Sequence, residues 1–185
     1  MTPVTTQPMS AIEFARRPDP ADGSKEELVR GEIETVPPPG FLHGRIQVNV
    51  AFVLELFVRS NPIGRITVEN GLQTEFDPDT VRGPDIAFWS FEKLPADQTP
   101  EVYPAVPADL CVEVLSPGRS RSKVLAKVTE YLHRGVRLVW VIDAEARSVT
   151  IFRAPNEGRF LLEPATLTGE DVLPGFSCPV ADLFR

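Results

Sequence analysis

Few residues here could build a cross-linked fold or a cysteine-histidine metal fold: the 185 residues include two cysteines and two histidines. Cys111 and Cys178 lie too far apart for a metal-binding spacing, and two thiols make no disulfide framework, which suits a reducing cytosol. The opening residues, MTPVTTQPMS, lack the basic stretch and apolar segment of an export signal. No apolar run approaches the ~20 residues that span a bilayer. The expectation is a cytoplasmic protein with no membrane partner. Positive charge is also short, with 19 Lys and Arg against 26 Asp and Glu and a net charge of −7. That argues against nucleic-acid affinity by bulk charge alone, because phosphate contacts need lysine and arginine. The basic residues are unevenly spread, however. Arg119, Arg121, Lys123, Lys127, Arg134 and Arg137 crowd one segment with only Glu130 against them.

What is present suits a soluble globular chain: 42% hydrophobic and 24% charged residues, at a length that buries a real core. Residues 1–24, rich in Pro, Thr, Ala and Asp, read as a loosely ordered arm that packs little, and residues 25–185 as a single domain. Residues 27–36 suggest a hairpin turning at Arg30-Gly31, and Pro37-Pro38-Pro39-Gly40 then breaks the chain. Ile46, Val50, Val53 and Phe57 recur at helical steps and predict an amphipathic helix over 43–59. Strands are predicted near 65–69, 72–76, 84–89, 110–115, 138–142 and 148–153. Residues 92–107, with several prolines, read as loop. Ser116-Pro117-Gly118 turns into a helix over about 120–134, whose apolar stripe is Val124, Val128, Tyr131 and Leu132 and which Gly135 ends. The tail over 158–185 is expected to close one side with a short strand and a final loop or helix.

One residue stands out chemically. Glu113 interrupts Leu110-Cys111-Val112-Glu113-Val114-Leu115, a strand whose two faces both read as buried. An ionised carboxylate there loses its hydration and must recover it from a cation, a metal or several donors. Asp85, opening another apolar run, and Lys127, on the following helix, could complete a site. Two carboxylates and a lysine suit Mg²⁺ or Mn²⁺, which take hard oxygen ligands and activate water toward a phosphodiester. A backbone carbonyl near Val114 or Leu115 could be a third ligand. The plainer readings are a turn-fixing aspartate, a buried ion pair of Glu113 with Lys127 or an arginine, and a solvent-facing helix lysine.

Several segments together resemble the Uma2 family of restriction endonuclease-like proteins: Pro84-Asp85, Glu113-Val114-Leu115-Ser116-Pro117, Lys127-Val128-Thr129-Glu130-Tyr131-Leu132 and Gly135-Val136-Arg137-Leu138-Val139-Trp140-Val141-Ile142-Asp143. Gly31-Glu32-Ile33, Pro37-Pro38 and His43-Gly44-Arg45 add to the likeness, which covers about residues 28–152. The resemblance implies a PD-(D/E)xK nuclease-like α/β (α+β) fold: a mixed β-sheet flanked by helices, with an N-terminal β-hairpin and a divalent-metal site at one sheet edge. It implies Asp85 and Glu113 as metal ligands. The usual lysine, two residues after the acid, is Leu115 here, and Lys127 on the next helix matches the family's alternative place. Lys123 stands where similar sequences more often carry an acid. The likeness also puts His43 near the site, against a plain role in satisfying local backbone groups. Glu32 becomes an accessory acid or ligand, against a plain hairpin carboxylate. Ser116 reads as a turn residue, Tyr131 as core, and Trp89 and Trp140 as packing.

The function implied is a Mg²⁺- or Mn²⁺-dependent endonuclease hydrolysing DNA phosphodiester bonds. A homodimer is expected, because cutting both strands of a duplex suits twofold symmetry. The alternatives are a catalytically inert nuclease-fold module that binds nucleic acid or a protein partner, and a purely structural assembly subunit.

Overall fold

A computed structural model of the protein describes residues 7–116 and 120–185. The chain runs α1 (Ala11–Ala15), β1 (Lys25–Val29), β2 (Glu32–Val36), α2 (Phe41–Ser60), β3 (Gly64–Val68), β4 (Leu72–Glu75), β5 (Thr80–Arg82) and β6 (Ile86–Ser90). It continues through β7 (Leu110–Leu115), α3 (Arg121–Arg134), β8 (Leu138–Asp143), β9 (Ser148–Phe152), β10 (Gly158–Leu162), β11 (Thr166–Gly169), β12 (Leu173–Pro179) and a 3-10 turn (Val180–Phe184). The fold is the expected mixed α+β arrangement with a hairpin before the first long helix.

Six strands form the main sheet in the order β10-β9-β8-β7-β6-β3. Only β7 and β8 in it run parallel, and α3 makes the crossover between them. Period-two alternation sends Leu110, Val112 and Val114 of β7 to one face, where Ile46, Val50, Leu54 and Val58 of α2 meet them. Cys111 goes to the other face with Val139 and Val141 of β8, under Val124, Val128 and Tyr131 of α3. Glu113 shares that second face. Trp89 and Trp140 are fully buried in these two cores, as their packing role predicts.

A smaller sheet, β2-β1-β5-β4, lies beside the main one. Its hairpin turns at Arg30 (φ 50°) and Gly31 (φ 77°), the positive-φ pair that a tight two-residue turn requires. Gly31 is also required by space, since a Cβ there would stand 2.3 Å from the Cβ of Pro8. Of the predicted turn Ser116-Pro117-Gly118, the last two residues lie, with Arg119, outside the described residues.

Three expectations change. Within residues 7–24 the chain does pack. Ser10 and Glu13 form a reciprocal capping box on α1, the Ala11 N–H donates to Asp79 at 2.7 Å, and Met9 and Phe14 cover Leu28 and Val81. The C-terminal segment holds three strands rather than one, with β11 and β12 paired separately. The 20-residue α2 is also long and apolar enough to cross a bilayer, with a mean hydropathy of 1.4 over its best window. Scattered Gly, Gln and Asn obscure that run in the sequence, and the helix buries its inner face in the core.

Candidate active site

Asp85 sits just before β6, where Gly83-Pro84 brings the chain out of the small sheet and into the large one. Its Oδ2 accepts from the Val114 N–H at 2.7 Å, its Oδ1 lies 3.2 Å from His43 Nε2, and Lys25 Nζ stands 3.9 Å away. Burial alone would raise its pKa, but the His43 contact, the Lys25 charge and the Val114 N–H outweigh it and hold the carboxyl below its usual value.

Glu113 lies one residue before that N–H, buried on the opposite face. Tyr131 O–H donates to its Oε1 at 2.6 Å, and Lys127 Nζ stands 3.6 Å from its Oε2. Burial pushes its pKa up to about 7; Lys127 opposes the rise and the Asp85 charge adds to it. The two carboxylates are therefore poised apart, Asp85 ionised and Glu113 near the balance point at neutral pH. Catalytic acid–base pairs show such a split, and so do buried ion-pair networks.

Lys127 reaches this point from the inner edge of α3, and a further carboxylate holds it. Glu27 on β1 accepts from Lys127 Nζ at 2.6 Å, from the Gly83 N–H at 3.1 Å and from Arg82 Nη1 at 3.0 Å. Arg82 in turn donates through Nε and Nη2 to both oxygens of Glu130, at 2.7 and 2.8 Å. Burial would favour neutral Lys127, yet Glu113 and Glu27 hold its pKa above the ordinary value. Lys127 is therefore a fixed cation, able to orient and neutralise rather than to take up a proton. Glu27 is the largest residue missed from the sequence. Nothing in Lys25-Glu26-Glu27-Leu28-Val29 separates it from Glu26; the one indirect sign is Arg82, a strand arginine whose burial demands an acid.

His43 lies in the first turn of α2, buried, with Nδ1 2.9 Å from Ser116 Oγ. The tautomer that donates from Nε2 to Asp85 leaves Nδ1 to accept the serine hydroxyl proton. Ser116 thus does more than begin a turn, and Tyr131 more than fill the core. Glu69 closes the same side. It pairs with Lys25 and accepts from Gln47 Nε2 at 2.7 Å, while Gln47 also donates to the Asp85 carbonyl at 3.0 Å. Among the described residues, His43, Glu69 and Asp85 bring ligand atoms within 4.8 Å of one another. Glu113 is outside that group, its carboxylate turned to Tyr131 and Lys127.

The structure brings Asp85, Glu113, Lys127 and His43 together and leaves Glu32 out. Glu32 is exposed at the start of β2, paired across the hairpin with Val29. It shares a face with Glu27, which pairs with Glu34, but sits at the turn end of the ribbon, while Glu27 is the one that meets Lys127 and Arg82. The basic segment is likewise not a free cationic stripe. Arg121 pairs with Asp143, Arg137 with Asp109 and Asp171, and Arg134 donates to the Gln73 and Ala105 carbonyls. A cavity of about 400 Å³ opens over Glu27, Glu113 and Lys127, with Lys123 and Glu34 at its rim.

Comparison with known proteins bears on the family and the fold. The sequence profile of Uma2, a family described as "Putative restriction endonuclease", matches residues 12–181. A solved structure from Anabaena variabilis, titled as a putative nuclease belonging to DUF820, superposes with a TM-score of 0.81 at 25% identity, covering 96% of this chain and 98% of that one. No curated protein matches. With the family profile spanning almost the whole chain, the protein belongs to the Uma2 family.

Proposed function

We propose that the protein is a divalent-metal-dependent endonuclease that hydrolyses DNA phosphodiester bonds. The observation that carries this reading is that Glu113 and Lys127 line a cavity while Asp85 is held behind them on the Val114 N–H, in a chain of a restriction endonuclease family. The donor set fits Mg²⁺ or Mn²⁺: Asp85 and Glu113 offer hard carboxylate oxygens, and burial keeps the Glu113 pKa raised even with Lys127 beside it. When bound, such an ion supplies polarisation of the phosphoryl oxygen and a more acidic water. The chain's own groups do the rest. Lys127 offsets charge developing on the phosphate, and Glu27 and Tyr131 fix Lys127 and Glu113 in place. His43 and the Val114 N–H hold Asp85. A twofold pair of such sites suits cleavage of both strands of a duplex.

The test is incubation of plasmid DNA with Mg²⁺ or Mn²⁺ and wild type, Asp85→Ala or Glu113→Ala. Wild type is expected to nick, with each variant reduced at least about 100-fold, the order of loss when a key electrostatic group is removed. Equal nicking by all three proteins, or none from any, overturns the reading. A second reading, an inert nuclease-fold module that binds nucleic acid or a protein, has one observation in its favour: Lys25 and Lys127 already neutralise the two carboxylates. Calorimetry with Mn²⁺ separates the two. Binding that Glu113→Ala abolishes supports the nuclease, and absence of binding supports the inert module.

A further inference from the structure

An amphipathic helix that packs on a core is expected to show water a polar outer face; α2 does not. Its inner side buries His43, Ile46, Val50, Leu54 and Val58, while Phe41, Val48, Phe52 and Leu56 on the outer side are 91, 60, 64 and 56% exposed. Positions 41, 45, 48, 52, 56 and 59 recur at helical spacing and form one outward stripe: Phe, Arg, Val, Phe, Leu, Arg. Its four apolar members leave on the order of 400–500 Å² of apolar surface in water, near the upper end of what a monomer carries.

We propose that this stripe is the twofold interface of a homodimer, in which two copies of α2 pack antiparallel. The sequence of the stripe selects a second copy of the chain as its occupant. Turned end for end about the level of Val50, the helix complements itself. Val48 then falls opposite Phe52 of the second copy, Arg45 opposite Glu55, and Phe41 opposite Arg59. Each face thus supplies an opposite-charge pair on both sides of the axis and an arginine over an aromatic ring. Glu55, which accepts from Arg59 at 2.8 Å, and Arg45, which donates to the Arg185 carbonyl at 3.1 Å, join one network across the seam. A parallel pairing would instead set Arg45 against Arg45. With the stems of Arg45, Glu55 and Arg59 included, two copies bury on the order of 1,000 Å², the lower bound for a specific interface. The expected dimer is therefore of micromolar affinity. Because the stripe lies on the side of α2 away from His43, the inference does not rest on the nuclease reading.

Sedimentation equilibrium on the full chain, at concentrations up to about 200 µM, tests it. Wild type is expected to dimerise. Phe52→Glu should be monomeric with unchanged circular dichroism, Arg45→Glu should weaken association at least about tenfold, and Arg45→Glu combined with Glu55→Arg should restore it. A monomeric wild type, a dimer indifferent to Phe52→Glu, or a charge swap no better than Arg45→Glu alone overturns the proposal. So does flotation of a monomeric protein with neutral lipid vesicles, which would assign the stripe to a membrane surface. Plasmid nicking measured on Phe52→Glu keeps the two claims apart, because loss of assembly with metal binding intact leaves the chemistry standing.

Discussion

Arg82 and Lys127 carry two largely buried positive charges onto one carboxylate, that of Glu27. Removing the acid leaves Arg82 with Glu130 alone and Lys127 with Glu113 alone, each one partner short in low dielectric. Glu27→Ala is expected to cost about 3–5 kcal/mol, read from the urea midpoint, and Glu27→Gln less because it still accepts hydrogen bonds. Glu113 predicts a pH effect of opposite sense to the usual carboxylate. Its folded pKa lies at about 7 rather than 4.5, so the folded metal-free protein keeps a proton that the unfolded chain has released. That contribution is complete below the unfolded value and is lost as pH rises toward and through 7. Wild type should therefore lose stability relative to Glu113→Gln between about pH 5 and pH 8. Mn²⁺, which binds the ionised carboxylate, should stabilise wild type more at the higher pH. Melting curves at both pH values check this, and a flat difference between the two proteins counts against it.

At the scale of elements, α3 holds the site's cation and its tyrosine, and it ends on Gly135 in a left-handed conformation with φ 104°. Gly135→Ala should cost about 1 kcal/mol in denaturant unfolding while leaving Mn²⁺ binding unchanged, since Lys127 lies two turns before the cap. This helix was legible in the sequence because its apolar residues follow a period of 3.6, and β7 and β8 because each is a short, nearly continuous apolar run. Asp85 and Glu113 were legible for the converse reason, as carboxylates beside or within apolar runs. β5 was not legible, for three residues, Thr80-Val81-Arg82, carry no period. Neither was α1, whose Ala11 N–H is tied to Asp79, 68 positions away. Glu27 and Glu32 show why the hairpin misled. Both sit on one face of a short ribbon, and which carboxylate is buried depends on Lys127, 100 positions downstream of Glu27.

Across the whole molecule, the net charge of −7 and the internal pairing of the basic residues set how DNA can be held. Without a divalent ion, retention should be weak. The slope of log K against log salt should correspond to no more than about two phosphates, measured by filter binding between about 50 and 200 mM salt. Mg²⁺ or Mn²⁺ should raise the affinity by cancelling charge at the carboxylates. A steep slope in chelator would place the DNA contacts on another surface. The molecule also carries a gauge of its own opening. Cys111 lies two residues before Glu113 on the same face of β7, fully buried, and burial, with the Glu113 charge adding to it, keeps the thiol well above its ordinary pKa. Alkylating reagents can reach that sulfur only when the central strand is stripped of α3. The speed at which the sulfur is modified therefore clocks how often the acid at the heart of the molecule meets bulk water.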